Sequence, residues 1–452
     1  MKKKSLWVKT LALIFMFLFS STQVFAADAA QEIKTPQGLQ AFLVIIPLVV
    51  ILILLFKKVD MLVAGLAGGI LAMIIGGIGI VQANDFLLKA IPSMLTITVP
   101  IINSALAMAV FSAGSYTSAL TLVRRATKGR VEYFAAFIVI LQAAATYMSG
   151  IGGGSAMVIA PLAFAAMGAI PELVAGMSIA AAVSFTTSPA SLETGVISKL
   201  GNIAAGDYVA QMRIFWLVFV AIAIIIAIYG SKKRKALFRG DEGEEFKTMT
   251  NGQLFKTTIP AIFLLSAVIF GPFVNKLVGF ALLSPLVYSV ITIALVFLCT
   301  KLNLTKSVSA MVDGSNYILV RLFSVGIFLA FINIIGETGA FASIVSVAKM
   351  APAALVVPTA VLAGFLVGIP AGAYVGSVLT LVLPIVVSLG FSPVSLGFVA
   401  MGVGLGSQMS FVNITMQALS SGFKLPIIDV VKGNAKWVIS CVVLLLVLAF
   451  VF

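Results

Sequence analysis

The chain has 452 residues, 61% of them hydrophobic and 10% charged, where a soluble domain carries roughly 25% charged residues. That composition excludes a water-soluble globular domain. The formal net charge of +14 does not indicate a nucleic-acid partner, because the basic residues collect in short loops beside apolar runs, as cytoplasmic loops of membrane proteins do. The two cysteines, Cys299 and Cys441, each sit in an apolar run, which supports neither a disulfide framework nor a cysteine metal centre. The chain has no histidine, so imidazole proton relays and histidine-ligated metals are excluded.

Apolar runs of about 17 to 25 residues recur between short polar loops, the pattern of transmembrane helices and not of a barrel. Lys2, Lys3 and Lys4, the apolar stretch Leu11 to Phe19 and Val24-Phe25-Ala26 read as a signal peptide over residues 1–26, or else as an uncleaved anchor. Either way Asp28 to Gln40 lies outside. Leu39 to Phe56 then crosses inward onto Lys57 and Lys58, Met61 to Val81 returns, and Ala83 to Met94 is weakly amphipathic. Pro100 to Leu122 crosses inward to Arg124, Arg125, Lys128 and Arg130. Phe134 to Met148, Ser155 to Gly168 and Leu173 to Lys199 give three more passes, the first two short enough to be broken or hairpin-like. Arg213 to Tyr229 crosses inward to a charged cytoplasmic linker, residues 231–253, holding Ser231-Lys-Lys-Arg-Lys235 and Asp241 to Glu245.

Sliding the sequence by 222 residues without a gap places Gly150 on Gly372, Gly154 on Gly376, Ser155 on Ser377, Gly168 on Gly390, Pro171 on Pro393 and Ser188 on Ser410. The matches fall on helix breakers and small polar residues, which decide where a membrane helix is interrupted. The first half, residues 27–230, holds an odd number of crossings, so its copy, residues 254–452, starts from the opposite side. Charge agrees with the inversion: the loop from Arg124 to Arg130 has four positive residues, whereas Ser346 to Pro352 has Lys349 alone. Lys301 and Lys306 follow the second crossing of the copy, where an inverted half turns inside. The expected fold is an all-α polytopic membrane protein of two inverted-topology repeats with re-entrant hairpins and broken helices, in the cytoplasmic membrane, both termini outside.

Polar, glycine-broken passages at membrane depth mark a wet cavity or a binding site. Helix N-termini attract anions through unpaired N–H groups, and hydroxyls and amides orient them. For a bound anion the first passage offers Gly153, Gly154, Ser155, Thr186, Thr187 and Ser188, and the second offers Gly376, Ser377, Ser407, Gln408, Ser410 and Asn413. Oxygens of Ser191, Asn413 and Thr415 suit sodium, and the intramembrane acids Glu193 and Glu337 are candidates for cation coupling. Arg213 and Arg321, at the starts of apolar runs, are read as snorkelling to the headgroups. Gly402-Val-Gly404-Leu-Gly406 has neither the preceding strand nor the lysine of a nucleotide loop. No nucleophile, base and metal set stands out, so neither an enzyme nor a cofactor beyond a coupling ion is expected.

In layout the two passages, each a glycine-and-serine hairpin, a Gly-x-x-Pro and a broken helix rich in Ser, Thr and Asn, resemble the ion transporter superfamily. Gly154-Ser155 to Pro189-Ala190-Ser191 and Gly376-Ser377 to Asn413 are most similar to its citrate, gluconate and dicarboxylate carriers. The Ser-Asn-Thr signature of the sodium dicarboxylate branch is replaced here by Ser184-Phe-Thr-Thr-Ser188 and Ser410-Phe-Val-Asn413. The resemblance implies a cation-coupled importer of a small organic anion, a homodimer in the bilayer, whose substrate-bearing part moves like an elevator. A cation/proton antiporter is the alternative; it would share the repeat and would place acids at the helix breaks. A membrane-embedded enzyme or assembly factor is a third reading and would need a clustered acid, base or metal set.

Overall fold

The computed structural model describes residues 36–57, 59–95, 98–126, 130–150, 152–189, 191–238, 246, 248–373 and 375–452. The signal peptide expected over residues 1–26, Lys58, Lys128 and Asp241 to Glu245 lie outside them, as do the side chains of Arg321 and Ser377. In the first half the helices are α1 (Leu39–Leu43), α2 (Ile46–Phe56), α3 (Met61–Gly76), α4 (Ile80–Leu95), α5 (Thr98–Ser112), α6 (Ser115–Ala126), α7 (Val131–Ser149), α8 (Gly152–Met167), α9 (Pro171–Thr187), α10 (Leu192–Gly201) and α11 (Ala205–Lys233). The second half holds α12 (Asn251–Val278), α13 (Pro285–Cys299), α14 (Leu304–Glu337), α15 (Ala340–Ser346), α16 (Val356–Ala371), α17 (Val375–Val387), α18 (Pro393–Ser407), α19 (Ile414–Gly422) and α20 (Ile427–Val451). Two short 3-10 turns precede α16, and no strand occurs among the described residues.

Five stretches among the described residues are long and apolar enough to cross a membrane, or seven if two bent pairs count as one span each. The protein is therefore a multi-pass helical membrane protein. The run from Pro100 to Leu122, read from sequence as one crossing, is built of two helices, α5 and α6, bent by 69°, which together are long and apolar enough for one broken span. Gly114 makes the turn: its φ of +73° is left-handed, and its N–H reaches back only to the Phe111 carbonyl, at 3.0 Å. The end of α14 and the α15 segment bend by 59° in the same manner, at Thr338 and Gly339.

Helix boundaries follow the 222-residue spacing. Shifted by it, α8 falls on residues 374–389 and α17 spans Val375–Val387; α9 falls on 393–409 and α18 spans Pro393–Ser407; α10 falls on 414–423 and α19 spans Ile414–Gly422. Gly168 and Gly390, in the turns before α9 and α18, are both left-handed, with φ of +69° and +74°.

Two helices form the centre. From Glu172 to Thr187 every residue of α9 is buried, as is every residue of α18 from Ser395 to Ser407. Helix α9 is enclosed by α7, α11, α18 and α20, while α18 packs on α16, α20 and α9. A helix buried on all sides inside a bilayer gains its stability from close packing, which small residues permit. At one of the two tightest crossings a Cβ on Gly406 would run into the Phe365 carbonyl oxygen. Around this centre α2, α3, α12, α13 and α14 turn large apolar side chains outward, among them Ile53, Ile74, Phe270, Leu286 and Val312. Arg234, just past α11, holds Glu172 at the start of α9 through two bonds, Nε to Oε2 at 2.6 Å and Nη2 to Oε1 at 3.1 Å.

Gly406→Ala is expected to destabilise the protein by about 1–3 kcal/mol through overpacking, whereas Gly252→Ala, with open space around it, is not. Thermal unfolding of the detergent-purified variants checks this; equal melting of the two would contradict the crossing described.

Candidate functional site

Four backbone interruptions meet in the interior. Two are helix junctions, or tips: the first, around Gly150 and Gly152, joins α7 to α8, and the second, around Gly372 and Gly376, joins α16 to α17. Two are breaks: the first, at Ser188 and Ser191, lies between α9 and α10, and the second, residues 408–413, lies between α18 and α19. At the first tip Gly150 is left-handed, φ +72°, and caps α7 by an N–H bond to the Thr146 carbonyl at 2.8 Å.

Each break ends in a residue that opens the next helix. Ser191 Oγ accepts from the Thr194 N–H at 3.1 Å, and Asn413 Oδ1 accepts from the Met416 N–H at 3.1 Å. The two caps stand 222 residues apart. Without them the first-turn N–H groups of two short helices would lie buried and unpaired.

The breaks close on the tips in a ring. Ser188 Oγ donates to the Tyr147 carbonyl at 2.6 Å, joining the first break to the first tip. A Cβ on Gly152 would stand 2.8 Å from Thr415 Oγ1, so the first tip also abuts the start of α19. Asn413 Nδ2 donates to the Gly372 carbonyl at 2.9 Å, joining the second break to the second tip. A Cβ on Gly376 would meet Leu192 Cδ2 at 2.8 Å and Glu193 Oε1 at 3.8 Å, which brings the second tip to the start of α10. Along their lengths α8 packs on α19, and α10 on α17. Each break, together with the first turn of the helix that follows it, thus touches the tips of both halves.

Most of the residues expected from sequence lie in or beside this ring. Gly153 and Gly154 are buried in the first turn of α8. Ser155 lies one turn in, bonded to Gln142 Nε2 at 2.9 Å, Thr146 Oγ1 at 3.0 Å and the Gly152 carbonyl at 3.0 Å. Thr186 and Thr187 donate to carbonyls of their own helix, Ala182 at 2.9 Å and Val183 at 2.7 Å, and Ser407 does so to Gly404 at 2.7 Å. Ser410 Oγ accepts from the Val412 N–H at 3.3 Å. Gln408 Nε2 donates to Ser407 Oγ at 2.9 Å. Glu193 is buried, 6% exposed, at the start of α10. Glu337 belongs to another junction, the end of α14, where its Oε1 accepts from Gln82 Nε2 of α4 at 3.2 Å.

Several residues of the site were not singled out by sequence. Tyr208 donates its hydroxyl to the Thr186 carbonyl at 2.7 Å and Trp216 Nε1 donates to Ser184 Oγ at 2.8 Å, so α11 braces the end of α9. Gln142 on α7 and Asn434 on α20 are fully buried amides. Their signal in the sequence is an isolated amide deep in an apolar helix, which is costly unless it has partners. Among the described residues no group of three or more histidine, cysteine, aspartate or glutamate side chains is placed to hold a metal ion. The chain matches no protein-family model and no curated protein.

The paired caps give a graded test. Asn413→Ser keeps a capping oxygen but loses the donor to Gly372; Asn413→Ala loses both. Hydrogen exchange should therefore quicken at residues 372–376 in both variants, and at residues 414–417 in the alanine variant alone, where the cap contributes about 1 kcal/mol. Identical exchange in the two variants would remove the double role assigned to Asn413.

Proposed function

We propose that the chain is a secondary active transporter that takes up a small organic carboxylate, coupled to Na+ or H+, by elevator-type alternating access. The ring of two tips and two breaks is the observation that carries this reading. Four helices, α8, α10, α17 and α19, begin at the ring, so the positive ends of four helix dipoles converge where backbone leaves the helix. No lysine or arginine occurs in residues 147–155, 186–193, 371–376 or 407–415. An anion there is held by N–H groups, hydroxyls and amides, a weaker grip that suits a solute which must also leave.

On this reading Gly153, Gly154, Ser155, Thr186, Thr187 and Ser188, with Gly376, Ser377, Ser407, Gln408, Ser410 and Asn413, surround the substrate. The serine and threonine hydroxyls now bonded to their own helix carbonyls exchange those bonds for the solute at modest net cost. Glu193, Ser191 and Thr415 lie at the coupling end of the site. The 222-residue spacing of helix ends, caps and left-handed glycines supports a duplicated chain, and an odd number of crossings in each half would make the second copy inverted. Residues 150–201 and 372–423 move together, because α8 packs on α19 and α10 on α17 across the halves. Residues 39–81 and 262–299 form the static scaffold and the contacts of a homodimer. A cation/proton antiporter is the second reading; the buried Glu193 carboxylate at the first break favours it.

The test is a thermal-shift screen of the purified protein against citrate, gluconate, succinate, malate and lactate, each with and without Na+. A ligand that binds the folded state stabilises it by mass action, by about 2.7 kcal/mol at a hundredfold excess over Kd. One acid that raises the melting temperature supports the carrier; stabilisation by Na+ or Li+ with no effect of any acid supports the antiporter. The inversion has its own test: a reporter fused after Phe452 should read outside, and a cytoplasmic signal would refute it.

A further inference from the structure

Three fully buried amides lie near the ring, Gln142, Gln408 and Asn434, and the side-chain oxygen of each has no hydrogen-bond partner among the described residues. Buried polar atoms are almost always paired, so such oxygens call for an explanation. Two of the three are neighbours. Asn434 Nδ2 on α20 donates to Ser178 Oγ on α9 at 2.8 Å and lies 3.4 Å from the Gln408 carbonyl and 3.3 Å from Met416 Sδ. Gln408 Nε2 points to Ser407 Oγ at 2.9 Å and to the Gly404 carbonyl at 3.4 Å.

The orientation of both amides follows from their surroundings. Turned about, Asn434 would set its oxygen against the Gln408 carbonyl and the Met416 sulfur, and Gln408 would set its oxygen against the Gly404 carbonyl. Acceptor would face acceptor in each case. The N–H groups are therefore fixed on protein acceptors, and Gln408 Oε1 and Asn434 Oδ1 are left over.

Packing does not require an amide at this crossing. The residue 222 positions before Asn434 is Met212 on α11, and its sulfur would lie 2.3 Å from a Cβ on Gly397 of α18. An apolar side chain fills the corresponding place in the other half. A polar side chain retained at such cost has work beyond filling space.

We propose that Gln408 Oε1 and Asn434 Oδ1, with Ser178 Oγ, form a binding site for a monovalent alkali cation, Na+ first among them. Neutral oxygens alone make the site. Calcium and magnesium are held through carboxylates, and none is present among Ser178, Ser407, Gln408, Met416 and Asn434; Lys432 and Lys436, two residues either side of Asn434, are exposed on the opposite face of α20. Ser178 Oγ donates to the Ala175 carbonyl at 3.1 Å and keeps a lone pair. Ser191 Oγ and Asn413 Oδ1 each accept a backbone N–H, whereas Gln408 Oε1 and Asn434 Oδ1 accept none among the described residues, so the amide pair is the freer oxygen set. The site lies where α9, α18, α19 and α20 meet, behind the second break, and a cation there stiffens the end of α18 from which the break begins. Its role in coupling rests on the carrier reading; its occupancy does not.

The experiment uses the full chain purified in choline chloride, with NaCl, LiCl or KCl replacing choline at constant ionic strength and no organic acid present. Wild type is expected to melt higher in saturable proportion to Na+. Asn434→Met, the residue of the other half, and Gln408→Met should each weaken that response at least tenfold, while melting in choline stays level or rises, because an unpaired oxygen has been removed. Should one variant not fold, the other, with Ser178→Ala, carries the test. Equal melting of wild type in all salts, as for an enclosed water, overturns the proposal, and so does a Na+ response undiminished in the variants. A Na+ response lost in the variants, in a protein no acid stabilises, leaves the cation site standing and removes the carboxylate reading instead.

Discussion

Backbone that leaves the helix inside a bilayer has no water to satisfy it, and everything central in this protein answers that constraint. Four interruptions lying apart would leave helix-end N–H and carbonyl groups unpaired. Brought together, they cap one another: Ser188 holds Tyr147, Asn413 holds Gly372, and Ser191 and Asn413 close the starts of α10 and α19. The ring is thus a structural solution before it is a functional one. It fixes where α8, α10, α17 and α19 begin, and the rest of the core is built to let them meet.

Letting them meet takes side-chain volume out of the way. Gly152 and Gly376 allow the tips to touch the opposing helix starts, and Gly406 allows α18 to cross α16 at backbone distance. In a bilayer this contact is worth more than apolar burial, since lipid already solvates apolar groups. The cost falls on polar groups carried into the same region. Thr186, Thr187 and Ser407 meet it locally, by donating to a carbonyl of the preceding turn, whereas Gln142, Gln408 and Asn434 each leave an oxygen unmet among the described residues.

Much of this was legible in the chain. Composition set the class, the matched prolines Pro171 and Pro393 fell at the starts of the two central helices although the first pass was read from Leu173, and Gly150, Ser188 and Asn413 fell in the interruptions that the structure brings together. Such residues act locally: proline, glycine and a capping side chain set the backbone within a turn of themselves. The bend at Gly114 was not foreseen, because an apolar run long enough to cross reads as straight unless the left-handed glycine within it is weighed. Gln142, Tyr147, Tyr208 and Asn434 escaped for another reason. Their partners are distant in sequence, as Asn434 and Ser178 are by 256 residues, and no spacing rule reports a contact of that kind.

The two halves match in helix boundaries more closely than in side chains, and three of the differences near the ring fall on polar groups. At the 222-residue spacing Glu193 stands opposite Thr415, Gln142 opposite Gly364 and Asn434 opposite Met212. On the carrier reading this is the arrangement that coupling requires. A symmetrical pair of halves can offer the same cavity to either side, yet symmetry alone gives a solute and an ion no reason to depend on each other. Dependence needs a group whose energy changes with occupancy of its neighbour, and a buried acid or a buried amide oxygen is such a group. The shared backbone would then provide the alternation, and the unshared side chains the linkage.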